Sequence, residues 1–284
     1  MLEHLGANGY KTSSTEAHSR RPEAQKKVLM NIEAYLRRIN YKGPTEPSVR
    51  TLRQLHVAHL LSVPFENLDN HLGRGIVLEE DKLISKILDQ QRGGICYELN
   101  GAFAGLLRRL GFDVAILSAG VARAEGGFDP PFDHMTLMVR LEERWLADVG
   151  FGDSFREPLL LDSREEQRQN GEAYRLVDAE DEHLLLERRE GETWKPQYRF
   201  TLQPYELADF AEMCRYHQTS PESPFTQRRT CSLATPEGRI TVTGMRLIAT
   251  VRGEREELEL AGASEYAAAL RERFGITLDE ALFK

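Results

Sequence analysis

The hydrophobic period of this chain changes at Gly111, and that switch restricts the folds open to it. Upstream, apolar residues recur at three- and four-residue spacing, as in helices buried along one face. "NIEAYLRRI" (31–39) runs into a turn at Gly43 and Pro44. "PSVRTLRQLHVAHLLSV" (47–63) has a candidate cap at Ser48 and stops before Pro64. "EEDKLISKILDQ" (79–90) reads as a short amphipathic helix. "YELNGAFAGLLRRLG" (97–111) is the clearest, with Leu99, Phe103, Leu106 and Leu110 in one stripe. Arg108 and Arg109 in its last turn and Gly111 beyond it are stop signals.

Downstream, the period becomes that of strands. "FDVAILSAGVARA" (112–124), "HMTLMVRL" (134–141) and "RWLADVGF" (144–151) come first. "YRLVDA" (174–179), "HLLLERRE" (183–190), "WKPQYRFTL" (194–202), "RITVTGM" (239–245) and "LIATVRG" (247–253) follow. A last helix is expected from Ser264 to Gly275. Helices first and strands second predict an α+β fold, with a helical bundle beside an antiparallel barrel or sheet, and argue against a doubly wound one. Residues 1–29 are polar and aperiodic and lack a signal peptide's apolar core; they read as a disordered extension or an appended remnant.

The net charge of −8 argues against a general nucleic-acid binder, and no apolar run approaches a membrane span. Three cysteines without a CxxC make a poor disulfide framework and a poor zinc site, so no metal is expected. They suit a reducing cytoplasm. Cys96, in "RGGICYELNG" (92–101), stands at the start of a helix. Unpaired N–H groups and the positive dipole end stabilise a thiolate there, while Gly93 and Gly94 let the backbone approach closely and are candidate oxyanion donors. From this stretch alone, nucleophile and small core residue are equally good readings.

A cysteine nucleophile needs a base, and the base an orienter. His134 opens one strand and Asp148 closes the next. If Leu141–Glu143 form a three-residue turn, Arg140 faces Arg144, and His134 and Asp148 share a face one diagonal step apart. A two-residue turn would put them on opposite faces. Alternatively, His134 is a satisfied edge histidine and Asp148 a turn residue. The charge of Asp148 within the apolar "WLADVGF" argues for a partner. Cysteine on a helix, then histidine and aspartate on successive strands, is the order of the papain and transglutaminase class.

Five stretches carry a further resemblance: "VPFENLDNH" (63–71), "RGGICYELN" (92–100), "FDHMTLMV" (132–139), "WLADVGFG" (145–152) and "SPFTQRRTCSLATPEGRITV" (223–242). With these the chain, from Met30 to its end, resembles the arylamine N-acetyltransferases. The resemblance implies a helical bundle (30–111), a β-barrel (112–215), and an interdomain segment with an α/β lid (216–284). It implies Cys96 as acetylated nucleophile, His134 as base and Asp148 as orienter. The reaction would be ping-pong, from acetyl-coenzyme A to an arylamine or arylhydrazine. Phe65 and Phe128 are candidates for the apolar amine pocket, with ordinary core the other reading of Phe65. The Gly126–Gly127 loop corresponds to one bordering the family's active site, although a plain hairpin loop has the same look. Tyr216 and Ser220 lie where the family contacts coenzyme A. Glu66 and Asn67 read as support for the cleft; Cys214 and Cys231 read as packing residues. Another acyl-coenzyme A-dependent acyltransferase, or a transglutaminase-like cysteine hydrolase, would use the same triad. The sequence leaves monomer and homo-oligomer equally open.

Overall fold

A computed structural model describes residues 31–283; the reading of residues 1–29 lies outside them. The N-terminal part holds α1 (Ile32–Arg38), α2 (Val49–Leu60), β1 (Phe65–Glu66), α3 (Leu68–His71), α4 (Glu80–Leu88) and α5 (Cys96–Arg109). Next come β2 (Asp113–Val121), β3 (His134–Arg140), β4 (Arg144–Ala147), β5 (Leu159–Leu160) and β6 (Gln167–Gln169). They are followed by β7 (Glu172–Asp178), β8 (Leu184–Glu190) and β9 (Thr193–Tyr205). The C-terminal part holds α6 (Ala211–Thr219), α7 (Pro224–Gln227), β10 (Thr230–Thr235), β11 (Gly238–Thr243), β12 (Arg246–Val251), β13 (Glu254–Glu259) and α8 (Ala263–Phe274). The Ser48 side chain caps α2 by accepting from the Thr51 amide at 3.1 Å.

Helix α5 is the axis of the fold. Every residue from Cys96 to Leu107 is buried, so the expected single stripe understates it. One side meets α4, and another lies on the sheet against Ile116, Leu137, Val139 and Ala147. The alternate residues of those strands, Leu117, Met138 and Leu146, point into a second core with Phe155, Tyr174 and Phe200. Strands β2 to β4 are therefore buried on both faces, which explains their nearly continuous hydrophobicity.

Strands β2 to β9 form one antiparallel sheet in the order β5-β4-β3-β2-β9-β8-β7-β6. Its end strands meet through glutamine side chains rather than a backbone ladder. Gln167 of β6 accepts from the Leu160 amide at 2.7 Å and donates to the Leu160 carbonyl at 3.0 Å. Gln169 accepts from the Arg156 and Glu157 amides and donates to the Glu157 carbonyl. The glutamine amide copies a peptide group, so the barrel-like sheet nearly closes where its strands are too short to pair.

A second antiparallel sheet, β1-β10-β11-β12-β13, packs on α8 around Leu68, Cys231, Val242, Tyr266 and Leu270. Phe65 and Glu66 belong to this sheet although they lie among the N-terminal helices in sequence. Strand β13, "EREELE", is exposed throughout, so no apolar alternation marks it. Its placement follows from the turn at Arg252–Gly253 and pairing with β12. Helix α6 has no counterpart among the helices expected from the sequence, and its first residues fall inside the span expected for the barrel. Only Cys214 and His217 are buried on it, too few to set a period. Among the described residues no helix is long and apolar enough to cross a membrane.

A buried charge network fixes the segment before Cys96. Arg92 donates bidentately to Glu66 at 2.9 Å and reaches Asp69 at 3.0 Å. Lys86 lies 2.7 Å from both Asp69 and Glu98. Glu66 accepts from the Leu68 amide, and Glu98 from the Ile95 amide. Burial would disfavour the charges on Lys86 and Arg92, but the surrounding carboxylates outweigh it and hold both pKa values up. Burial likewise raises Glu98, against the pull of Lys86. Removing one partner of such a network strands the others. Arg92→Leu should therefore lower unfolding stability by about 3–5 kcal/mol in urea titrations; a loss under about 1 kcal/mol would show that the carboxylates find other partners.

Candidate active site

The turn between β3 and β4 holds three residues. Arg140 pairs with Arg144 and Leu137 with Ala147, as that length requires. Continuing this register puts His134 and Asp148 on one face, at the mouth of the barrel. Nε2 of His134 lies 2.6 Å from Oδ2 of Asp148, with both residues buried. Tyr198 and Phe151 flank the imidazole with ring centroids 5.1 and 5.2 Å away.

Asp148 is held from four sides. Its Oδ1 accepts from Asn100 Nδ2 at 2.8 Å and from the Gly150 amide at 2.9 Å. Its own amide donates to His56 Nε2 at 2.9 Å. Because that nitrogen accepts, His56 carries its proton on Nδ1 and donates to the Arg156 carbonyl at 2.6 Å. Burial pushes the His56 pKa down to about 4, so the ring stays neutral at pH 7. Burial alone would push Asp148 up and His134 down. Their mutual attraction and hydrogen bonds reverse both shifts, with Asn100 and the Gly150 amide assisting Asp148. Cys96 adds to the effect on His134, whose pKa is raised to about 10.

Asn100 sits one helical turn beyond Cys96, on the same side of α5. Besides Asp148, its amide donates to the Met135 carbonyl at 2.7 Å, and its oxygen accepts from the Val149 amide at 2.9 Å. Helix and hairpin are thus joined at the point where Cys96 emerges. Gly150 allows the approach, since a Cβ there would stand 2.8 Å from the Cys96 Cα and from Asn100 Nδ2. Asn100 and His56 were not singled out from the sequence. The signal for Asn100 was its i, i+4 spacing from Cys96; for His56 there was none, because its partners lie far along the chain.

Of the two purposes expected of the loop glycines, close backbone approach is met and the oxyanion role of Gly94 is not. The Gly94 amide points to the Pro64 carbonyl at 3.4 Å and is not free for an oxyanion. A Cβ on Gly93 would stand 1.8 Å from that carbonyl oxygen, so the residue is there for close packing. The Ile95 amide is taken by Glu98.

Cys96 and His134 both line a cavity of about 580 Å³. Phe65 and Tyr216 line it too, with Phe225 beside Phe65 at 5.9 Å between centroids. The structure does not bring Gly126, Gly127, Phe128 or Ser220 to its wall. Phe128 lies under the Arg199 guanidinium, 4.8 Å from its ring centroid. Gly126 and Gly127 have φ of +100° and +78° in a turn closed by hydrogen bonds to Arg123. Ser220 caps α6, and Tyr216 sits on that helix. Cys214 and Cys231 are free and buried, and burial pushes both thiols up, Cys214 to about 12.

The N-acetyltransferase family profile matches residues 48–283. An arylamine N-acetyltransferase of Mycolicibacterium smegmatis is 35% identical over 260 residues, covering 89% of this chain and 94% of that protein. The solved arylamine N-acetyltransferase of Salmonella typhimurium superposes with a TM-score of 0.84 at 32% identity, covering 88% of this chain and 95% of that one. The Mycobacterium marinum arylamine N-acetyltransferase, solved in complex with CoA, gives 0.82 at 30% identity, covering 89% and 96%.

The shifts fix how the His134–Asp148 pair contributes to stability. A raised histidine stabilises fully below its usual 6.5 and loses that contribution as pH rises through about 10. A lowered aspartate contributes fully above its usual 3.8 and loses it as pH falls. The stability gap between the chain and its Asp148→Asn variant should therefore be widest from pH 3.8 to 6.5 and narrow from 6.5 to about 10. Urea unfolding at stepped pH measures it; a gap that widens over the upper window contradicts the assignment.

Proposed function

The chain belongs to the arylamine N-acetyltransferase family, and on that premise we propose that it carries an acetyl group from acetyl-coenzyme A to aromatic amines through an acetyl-Cys96 thioester. The observation that carries this reading is the buried His134–Asp148 pair opening onto the same cavity as Cys96.

Cys96 is the nucleophile and His134 its base. With Nε2 of His134 engaged by Asp148, the thiol proton passes to Nδ1, which leaves a thiolate beside an imidazolium. The thiolate adds to the thioester carbonyl carbon, and the bond from that carbon to the coenzyme A sulfur breaks. The departing sulfur takes the proton from Nδ1 and leaves as a thiol. The amine nitrogen then attacks acetyl-Cys96 while neutral His134 accepts its proton. The carbon–nitrogen bond forms, the carbon–sulfur bond to Cys96 breaks, and the ion pair returns. Asp148 fixes the ring and stabilises the imidazolium. With the Ile95 amide occupied, the first amides of α5 itself are the donors left for the oxyanion.

An aryl ring suits the aromatic wall supplied by Phe65 and Phe225. Tyr216, with Ser220 at the end of its helix, and the Gly126–Gly127 turn form the approach for coenzyme A. The helices of 30–111 then carry the nucleophile and the strands of 112–215 its base and orienter, a papain-like division of the triad, while 216–284 covers the cleft. Three free thiols suit a reducing cytoplasm.

Intact mass after mixing with acetyl-coenzyme A should show one added acetyl group, absent in Cys96→Ala. No adduct and no acetylated amine would overturn the reading, and an adduct that decays only to acetate would make the protein a hydrolase. Asp148→Asn should lower kcat about 10³–10⁴-fold, by analogy with other triads; activity near the parent's would remove Asp148 from the role.

A further inference from the structure

Asp133 stands one residue before His134 and lines the same cavity. Its backbone carbonyl and that of Phe132 accept from the buried Tyr97 hydroxyl at 3.1 and 2.8 Å, which fixes this stretch of chain. The carboxylate is mostly buried, and its Oδ1 lies 3.2 Å from Nε2 of His217, a buried residue of α6 that also lines the cavity.

The tautomer of His217 is set by the carboxylate it faces. On its other side Nδ1 lies 3.2 Å from Ser223 Oγ, which accepts from the Phe225 amide and whose hydroxyl is also within reach of the His217 carbonyl at 3.4 Å, so that side accommodates either tautomer. With the proton on Nε2, an N–H faces the carboxylate. The opposite tautomer would oppose two lone pairs across 3.2 Å. The contact is too oblique for a hydrogen bond, so Nε2 remains a buried polar atom without a partner. Rings of Tyr97, Tyr216 and Phe225 surround the imidazole with centroids 5.0 to 6.1 Å away, which leaves little water to screen the charge.

The remaining charges of the cavity do not neutralise Asp133. Arg123 is engaged by Asp129 at 2.6 Å, and Glu222 adds a second carboxylate at the exposed rim. An aromatic amine poised over Cys96 would therefore bring its ring substituents into a negative field of low screening.

On this ground, and resting on the acetyl transfer proposed above, we infer that Asp133, fixed through the Tyr97 hydroxyl and facing His217, is a specificity-determining residue that selects against acceptor amines bearing an anionic ring substituent. Neutral anilines, and those whose substituent donates a hydrogen bond or carries positive charge, are the class it admits.

The test compares 4-aminobenzoate with its neutral near-isostere 4-aminobenzamide. In a ping-pong reaction kcat/KM for the amine reports attack on the acetyl-enzyme alone. The carboxylate withdraws less electron density from the ring than the amide, so intrinsic nucleophilicity opposes the expected order. The protein itself should favour the amide at least tenfold, and Asp133→Asn should narrow that preference about tenfold. A merely structural role would lower both substrates together and leave the ratio unchanged. Equal use of both amines by the unaltered protein overturns the inference, whatever the variant does. So does an unchanged ratio in Asp133→Asn. Should that variant not fold, Asp133→Ser carries the same expectation. Intact mass with acetyl-coenzyme A, run beside the assay, separates these outcomes: an acetyl-enzyme with the wrong selectivity refutes this inference, and no acetyl-enzyme refutes the acetyl transfer on which it rests.

Discussion

The Asp148 carboxylate is the point on which helix and barrel agree. It receives a hydrogen bond from α5 through Asn100, one from β3 through His134, and one from its own turn through the Gly150 amide. Its backbone is tied to α2 through His56. A charge so deeply buried is tolerated only when its oxygens are satisfied. The hairpin therefore settles against α5 at one depth and one rotation, and that placement also brings the end of β3 toward Cys96. Stability and site geometry depend on the same contacts here, and Gly150 shows how tight they are, with no room for a methyl group against the Cys96 backbone.

A second buried network lies on the far side of Cys96. Glu66, Asp69, Lys86, Arg92 and Glu98 come from four separate stretches and converge beneath the "RGGIC" loop. Apolar residues of similar volume fill such space at lower desolvation cost. What the charges add is direction: bidentate and amide contacts hold the loop in one conformation, so the start of α5 is fixed before any ligand arrives. Glu66 extends this order to the C-terminal sheet, because it also pairs with Cys231 in the ladder between β1 and β10.

Much of the site was legible because its logic is local. The sequence names Leu141–Glu143 as the turn whose length decides whether His134 and Asp148 share a face, and the observed register gives it three residues. Cys96 was legible as a helix start preceded by glycines. Other parts were hidden for definite reasons. Strand β13 has no apolar alternation, since neither face is buried. Helix α6 buries only two side chains, which leaves no readable period. The close approach at Gly93 was legible, but that its neighbour would be Pro64, whose carbonyl also takes the Gly94 amide, was not.

The sequence by itself determined the periods, the caps and the order of the chemistry: helices before strands, a cysteine at a helix start, and a histidine and an aspartate on successive strands. These are short-range consequences of backbone geometry, written in spacings of two, three and four residues. Only the tertiary structure decided which neighbours each group would meet. His56 and Asp148 are 92 residues apart, and His217 and Asp133 come from separate elements. Their meeting depends on how helix and sheet surfaces pack, and no local spacing records it. The charge state and orientation of the buried groups, and with them the chemistry of the cavity, follow from those long-range contacts.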